Sequence, residues 1–386
     1  MTVPFVDLRP AHDEIRAELD AAWRDVTASN GYIGGPTVEA FEARWAAYCG
    51  RQHCVGVGNG TDAIEIALAA AGIGPGDEVI VPANTFIATV EAVITAGATP
   101  VLVDVDDETL LITADHIAAA ITPRTAAVIV VHLFGQVVPM DAILELARER
   151  GIMVIEDAAQ AHGARWRGRI AGSFGHVATF SFYPGKNLGA FGDGGALVTD
   201  DAALATRARE IGNHGTAATN RYQHHVLGRN SRLDALQAAV LSAKVDRLDA
   251  WNASRRVAAA QYDEALRGHA SARPVGIAPE TESAHHLYVV RVPGRARVRE
   301  ELDRLGIGTG IHYPTPCHLH PPYLEYAREA LPVAEQASME IVSLPMFAYI
   351  TEAQVAEASA GLLQALESVR AASEDEAARL VTGRSL

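Results

Sequence analysis

Apolar residues recur along this chain at two spacings, one of 3–4 residues and one of short unbroken runs. In HDEIRAELDAAWRDVTAS (residues 12–29), Ile15, Leu19, Trp23 and Val26 share one face of a predicted helix. A turn-rich NGYIGGPT follows, and then a second amphipathic helix through Phe41 and Trp45. Short Val/Ile-rich runs then begin: CVGVG, EVIVP, PVLVDV, AVIVVHLF, IMVIEDAA, VATFSFYP and GALVTDD, with helical patterns between most of them. Strands of this kind, alternating with helices, predict a mostly parallel sheet covered on both faces. GALVT comes too soon after its predecessor for a helical crossover, so it is expected to run antiparallel.

Near residue 246 the pattern changes. Residues 232–266 read as one long helix, and after Ala284 strand-like pieces such as HHLYVVRVP alternate with helices. The expected division is a large α/β domain over 1–245 and a smaller α+β domain over 246–386, with a polar, frayed stretch from 371 onward. In open α/β sheets ligands bind beyond the carboxyl ends of the strands. That directs attention to Gly58–Asp62, Thr85 and Phe86, His132–Gln136, Asp157–His162 and Ser181–Asn187.

Composition narrows the function classes. The 386 residues carry a formal net charge of −15, which disfavours a phosphate-tracking nucleic-acid binder and an anionic membrane surface. The longest apolar stretch, AAVIVVHLFG, is interrupted by His132 and is too short to span a bilayer. The first ten residues lack the basic start and apolar run of a secretory signal, and Cys49, Cys54 and Cys317 have no C-x-x-C spacing. A reducing cytoplasm is the expected location.

Lysine usage points to the chemistry. Of 32 Lys and Arg residues only Lys186 and Lys244 are lysines. Lys244 lies on an amphipathic helix and reads as an ordinary surface cation. Lys186 lies among small residues in FSFYPGKNLGAFGDGGALVTDD (180–201). A Walker A loop is excluded, because Phe180 holds its first glycine position and Asn187 follows the lysine. The run Gly56-Val57-Gly58-Asn59-Gly60-Thr61 misses the dinucleotide fingerprint by one position, which disfavours a nicotinamide-dependent sugar oxidoreductase.

Lysine, unlike arginine, can lose its proton and attack an aldehyde such as that of pyridoxal phosphate. That cofactor needs a carboxylate for its ring nitrogen, donors for its phosphate at a helix start, and a flat neighbour for its ring. Asp157, then Gly60 and Thr61 with Ser181, and Phe86 meet those needs at predicted strand ends. Taken singly, each has an ordinary structural alternative: helix caps for Asp157 and Thr61, core packing for Phe86.

Together with EDAAQAHGA (156–164), SFYPGKNLGAFGDGGA (181–196), GRNSRLDALQAAVL (228–241) and IHYPTPCHLHPPY (311–323), these residues resemble the DegT/DnrJ/EryC1/StrS family of sugar aminotransferases. GIGPGDEVIVPANTFIATVEAV (72–93) and VHLFGQ (131–136) extend the likeness, which runs from about Phe5 to about Leu363. The resemblance implies fold type I and pyridoxal phosphate, with Lys186 as the Schiff-base lysine and proton carrier. It implies Asp157 at the ring nitrogen, Gln160 beside the ring oxygen, Phe86 over the ring, and Gly60, Thr61 and Ser181 at the phosphate. Asn230 would reach the phosphate of a neighbouring subunit, making a homodimer with composite sites. His312, Tyr313, His318 and His320 fall where relatives touch substrate. A metal at Cys317-His318-x-His320 is disfavoured, since relatives share the segment without one.

The implied reaction carries the amino group of L-glutamate, released as 2-oxoglutarate, to a dTDP-keto-6-deoxyhexose. Amination of a 3-keto sugar is preferred to that of a 4-keto sugar. A non-catalytic, cofactor-binding regulator on the same scaffold is the other alternative.

Overall fold

The computed structural model describes residues 3–217 and 220–382. All seven Val/Ile-rich runs form one sheet: β1 (His53–Val57), β2 (Glu78–Pro82), β3 (Thr99–Val103), β4 (Thr125–Val131), β5 (Met153–Asp157), β6 (Val177–Ser181) and β7 (Gly195–Thr199). Their order across the sheet is β1-β7-β6-β5-β4-β2-β3. The pairings of β2 through β6 are parallel, and β7 runs antiparallel to both β1 and β6, as its short connection requires. Apolar residues on both faces of these strands are buried beneath flanking helices. Register brings Val131, Asp157 and Thr179 abreast, and sets Ser181 opposite Gly195, so the chemistry-bearing residues reach one sheet edge.

A second core packs the helices Leu248–Ala265, Arg295–Arg304 and Glu352–Thr382 against a three-stranded sheet, β8 (Arg273–Pro274), β9 (Tyr288–Arg291) and β10 (Ile341–Leu344). The two parts touch closely: Ala284 N–H donates to the Gly135 carbonyl (2.8 Å) and Cys317 N–H to that of Ala83 (2.8 Å). No described helix is long and apolar enough to cross a membrane.

Several local expectations fail. The first helix breaks at Ile15, whose φ of −117° separates Arg9–Glu14 from Arg16–Ser29. Leu19 and Val26 are buried, but Trp23 is 60% exposed on the outer side of the helix. Residues 232–266 hold two helices, Ala235–Val245 and Leu248–Ala265, parted at Asp246 and Arg247. The polar stretch from 371 continues the last helix as far as Thr382. Lys244 is not a surface cation. Its side chain is buried beneath the N-terminal helix and the 184–191 loop, because most of its helix is covered.

Candidate active site

At the carboxyl edge of β5 and β6 lies a cavity of about 410 Å³, lined by Gly60, Thr61, Phe86, Asp157, Gln160, Ser181, Lys186, His312 and Tyr313 among others. Its floor is Asp157, the last residue of β5 and only 6% exposed. Thr89 Oγ1 donates to Asp157 Oδ2 (2.8 Å) and Ala159 N–H donates to Oδ1 (3.2 Å), while Thr85 and Thr89 share a hydroxyl contact at 2.8 Å. Burial raises the Asp157 pKa above the usual carboxylate range, and these donors with the nearby Lys186 and His132 offset only part of that. No helix follows Asp157 directly, so it is not a cap.

Lys186 faces the same cavity from a tight turn in which its N–H donates to the Tyr183 carbonyl (2.8 Å). Desolvation lowers its pKa from 10.5 to about 8, although the Asp157 charge acts in the opposite sense. The free-amine fraction near neutrality is therefore a minor one but far above that of an ordinary lysine, and arginine could not supply it.

One wall is the start of the helix Gly60–Ala70, where Asn59 accepts from Asp62 N–H (2.8 Å) as the cap. A Cβ at Gly60 would stand 2.7 Å from Ser181 Cβ, so only glycine lets this helix start approach β6. Thr61 and Ser181 flank that approach. The opposite wall is aromatic: Phe86 is 51% exposed, with its ring centroid 5.2 Å from that of Tyr313. Gln160 is clamped between Phe134 N–H, which donates to its Oε1 (2.6 Å), and Tyr313, whose hydroxyl oxygen accepts from its Nε2 (3.0 Å). Burial, reinforced by Lys186, lowers the His312 pKa to about 4; its Nδ1 is 2.8 Å from Ser343 Oγ and its ring stacks on Phe5.

The remaining sequence candidates lie off the cavity. His318 is buried with its Nε2 3.1 Å from Glu335 Oε1, and His320 packs edge-on to Tyr323. The Cys317–Leu319 turn, anchored through the Cys317 N–H, carries both off this cavity, so of the four residues expected at substrate only His312 and Tyr313 line it. Among the described residues no three His, Cys, Asp or Glu side chains gather as a metal site. Asn230 is exposed, and its backbone bridges Asn213. Two residues were missed. Thr89 stands one turn beyond Phe86, with Glu91 one of two polar positions in Phe86–Ile94, and His286 lines the cavity with its Nδ1 3.1 Å from Asn187 Oδ1.

The sequence profile of the DegT/DnrJ/EryC1/StrS aminotransferase family matches residues 13–362. This chain belongs to that family. It is 48% identical over 357 residues to dTDP-3-amino-3,4,6-trideoxy-alpha-D-glucose transaminase of Streptomyces venezuelae, covering 91% of this chain and 93% of the relative. It is 47% identical over 348 residues to the erythromycin biosynthesis sensory transduction protein EryC1 of Saccharopolyspora erythraea, covering 90% and 94%. The crystal structure of DesV from S. venezuelae, in complex with a ketimine intermediate, superposes with a TM-score of 0.91 at 47% identity, covering 94% of this chain and 97% of that one. The fold is therefore that of the pyridoxal phosphate-dependent aminotransferases of fold type I, and the chain is an enzyme of that kind. The cavity fits the cofactor on its own terms. It sets an amine of lowered pKa across from a buried carboxylate, and a helix start without Cβ bulk is open to an anion.

Proposed function

We propose that the enzyme transfers the amino group of L-glutamate to the third ring carbon of a dTDP-linked keto-6-deoxyhexose, working as a homodimer. The observation that carries the reading is the pairing of Lys186, with its amine partly deprotonated near neutral pH, and Asp157, buried opposite it in one cavity. Pyridoxal phosphate, when bound, supplies an electron-withdrawing ring through which an amino group passes from donor to acceptor. Lys186 is the base that takes a proton from the donor's α-carbon and later returns one to the sugar carbon. Asp157 would hold the ring nitrogen's proton, and the Thr85–Thr89 hydroxyl relay fixes its carboxylate.

Gly60, Thr61 and Ser181 would hold the phosphate, with Asn230 supplied by a second copy of the chain. Phe86 would cover the ring, and Gln160, oriented by Phe134 and Tyr313, would meet its hydroxyl oxygen. His312 and Tyr313 line the route by which substrate approaches. His312, neutral at working pH, offers the sugar a hydrogen-bonding ring without a competing charge. Support for carbon three and for dTDP comes from the activity named for the Streptomyces relative.

A second reading, a cofactor-binding regulator, draws on the name of the Saccharopolyspora relative. The experiment follows the cofactor's absorbance with L-glutamate alone, then adds 3-keto or 4-keto nucleotide sugars. Conversion by glutamate and reversal by the 3-keto sugar supports the proposal. Reversal by the 4-keto sugar alone moves the reaction to carbon four, and a spectrum that neither donor nor acceptor changes favours the regulator.

A further inference from the structure

The chain's second lysine lies beneath the loop that carries the first. Lys244, in the last turn of Ala235–Val245, is 2% exposed. Its Nζ donates to the Gly189 carbonyl (2.6 Å), lies 3.0 Å from His12 Nε2, and sits 4.4 Å from the Phe191 ring centroid. Lys186 and Lys244 both line a small void of about 20 Å³ under this loop, with Asp7, His12, Pro184 and Arg255 among its walls. We propose that Lys244 is a positioning residue for Lys186, holding the 184–191 loop through the bond from its ammonium to the Gly189 carbonyl. The inference rests on Lys186 being the reacting amine.

The loop has little slack to absorb loss of that bond. Its base closes through Ala190 N–H to the Phe182 carbonyl (2.8 Å), and Lys186 N–H is tied to Tyr183. Asn187 Nδ2 donates to Asn252 Oδ1 and to the Ala284 carbonyl, each at 2.8 Å. A Cβ at Gly189 would collide with the Pro184 carbonyl, so the turn is pressed against itself. The Gly189 carbonyl faces inward, and without Lys244 it would be left without its buried donor.

Residue type supports the role. Among the described residues no carboxylate forms an ion pair with Lys244, and burial lowers its pKa to about 7. His12 can accept from it because burial, together with the Lys244 and Arg16 charges, lowers the His12 pKa to about 4 against the pull of Asp13. Burying an ammonium beside neutral acceptors is unfavourable for folding, and a methionine there would pack without that penalty. A compact ammonium with three donors suits two acceptors and a ring in a narrow space, whereas the guanidinium fork used in almost every other cationic position does not.

The test compares wild-type and Lys244→Met holoenzymes in the glutamate half-reaction, alongside hydrogen–deuterium exchange over 182–194. The variant should retain cofactor and keep its glutamate KM within about twofold, while kcat falls between about ten- and a hundredfold. Exchange at Lys186 and Ala190 should rise with β5 unchanged. Wild-type kcat, or exchange rising equally in β5, would overturn the proposal. Should Lys244→Met not fold, Lys244→Gln, which keeps an N–H for Gly189 without a buried charge, must fold and keep kcat within about threefold. Failure of either requirement also overturns it. Lys186→Ala separates the two assignments: turnover retained there defeats both, while turnover lost there with wild-type kcat in Lys244→Met defeats only the role of Lys244.

Discussion

Asp157 opposes the shift that makes Lys186 reactive, and this leads to an uncommon pair of expected effects. With its pKa lowered from 10.5 to about 8, Lys186 is about one-tenth free amine at pH 7, against roughly three parts in ten thousand for an unshifted lysine. Asp157→Asn removes the one charge that raises this pKa, so the free-amine fraction should rise. Full deprotonation sets a ceiling of about tenfold on that rise. The substitution preserves shape: the new amide can accept from Ala159 N–H and donate to Thr89, whose own proton can turn to Thr85. Transamination should nevertheless fall. Losing a hydrogen bond from a charged partner costs about 1.5–3 kcal/mol, or roughly ten- to 150-fold in rate.

The assay is competitive acetylation of the cofactor-free protein at pH 7, read by peptide mass spectrometry, where two lysines make the assignment simple. Turnover of the reconstituted variant is measured in parallel. Labelling of Lys186 should increase while kcat drops. Labelling that falls or does not change would refute the electrostatic account, and wild-type kcat would refute the role given to Asp157.

Three further outcomes follow from the same geometry. Gly60→Ala puts a methyl 2.7 Å from Ser181 Cβ, so equilibrium dialysis should show pyridoxal phosphate affinity weakened by about tenfold or more, with the secondary structure intact by circular dichroism. In the proposed homodimer, each mixed dimer of Lys186→Ala and Asn230→Ala would contain one complete composite site, so mixing inactive Lys186→Ala with weakened Asn230→Ala should raise cofactor-limited activity above that of either alone, toward roughly a quarter of wild type; no gain would place Asn230 outside its neighbour's site. Burial raises the Glu78 pKa, but hydrogen bonds from Thr122, Arg124 and Arg328 outweigh it and bring the pKa down to about 2. Because the folded value lies below 4.5, the stability this supplies is complete above pH 4.5 and is lost as pH falls toward 2. The gap in urea midpoint between wild type and Glu78→Gln should therefore narrow from pH 5 to pH 3, and a constant gap would contradict the shift.

What the sequence disclosed, and what it withheld, divides along a physical line. Strands buried on both faces announce themselves as Val/Ile runs, and all seven were legible, including the antiparallel one, whose short connection left no alternative. Asp157, Ser181 and Lys186 were legible because strand ends in such a sheet converge on one edge. Side chains whose setting depends on what packs over them were not. His318 and His320 share a segment with His312, yet one short turn removes them from the cavity. Trp23 holds the right helical period and still faces outward, since period fixes a face but not its partner.

Lys244 is the sharpest instance, and it bears on how the site works. The apolar period of Ala235–Val245 describes a helix with one buried stripe, and a lysine off that stripe reads as solvated. In the fold the helix is also covered by the N-terminal segment and by the Lys186 loop, both distant in sequence, so the same lysine ends in the interior. Composition did hold a signal, because a chain that uses arginine at 30 of its 32 cationic positions keeps lysine only at these two. On the proposed reading the reason at Lys186 is an amine that must lose its proton, and at Lys244 an ammonium small enough to meet one buried carbonyl. Both uses exclude arginine, and both bear on one turn of eight residues. The rarity of lysine is thus a property of this active-site loop more than of the surface.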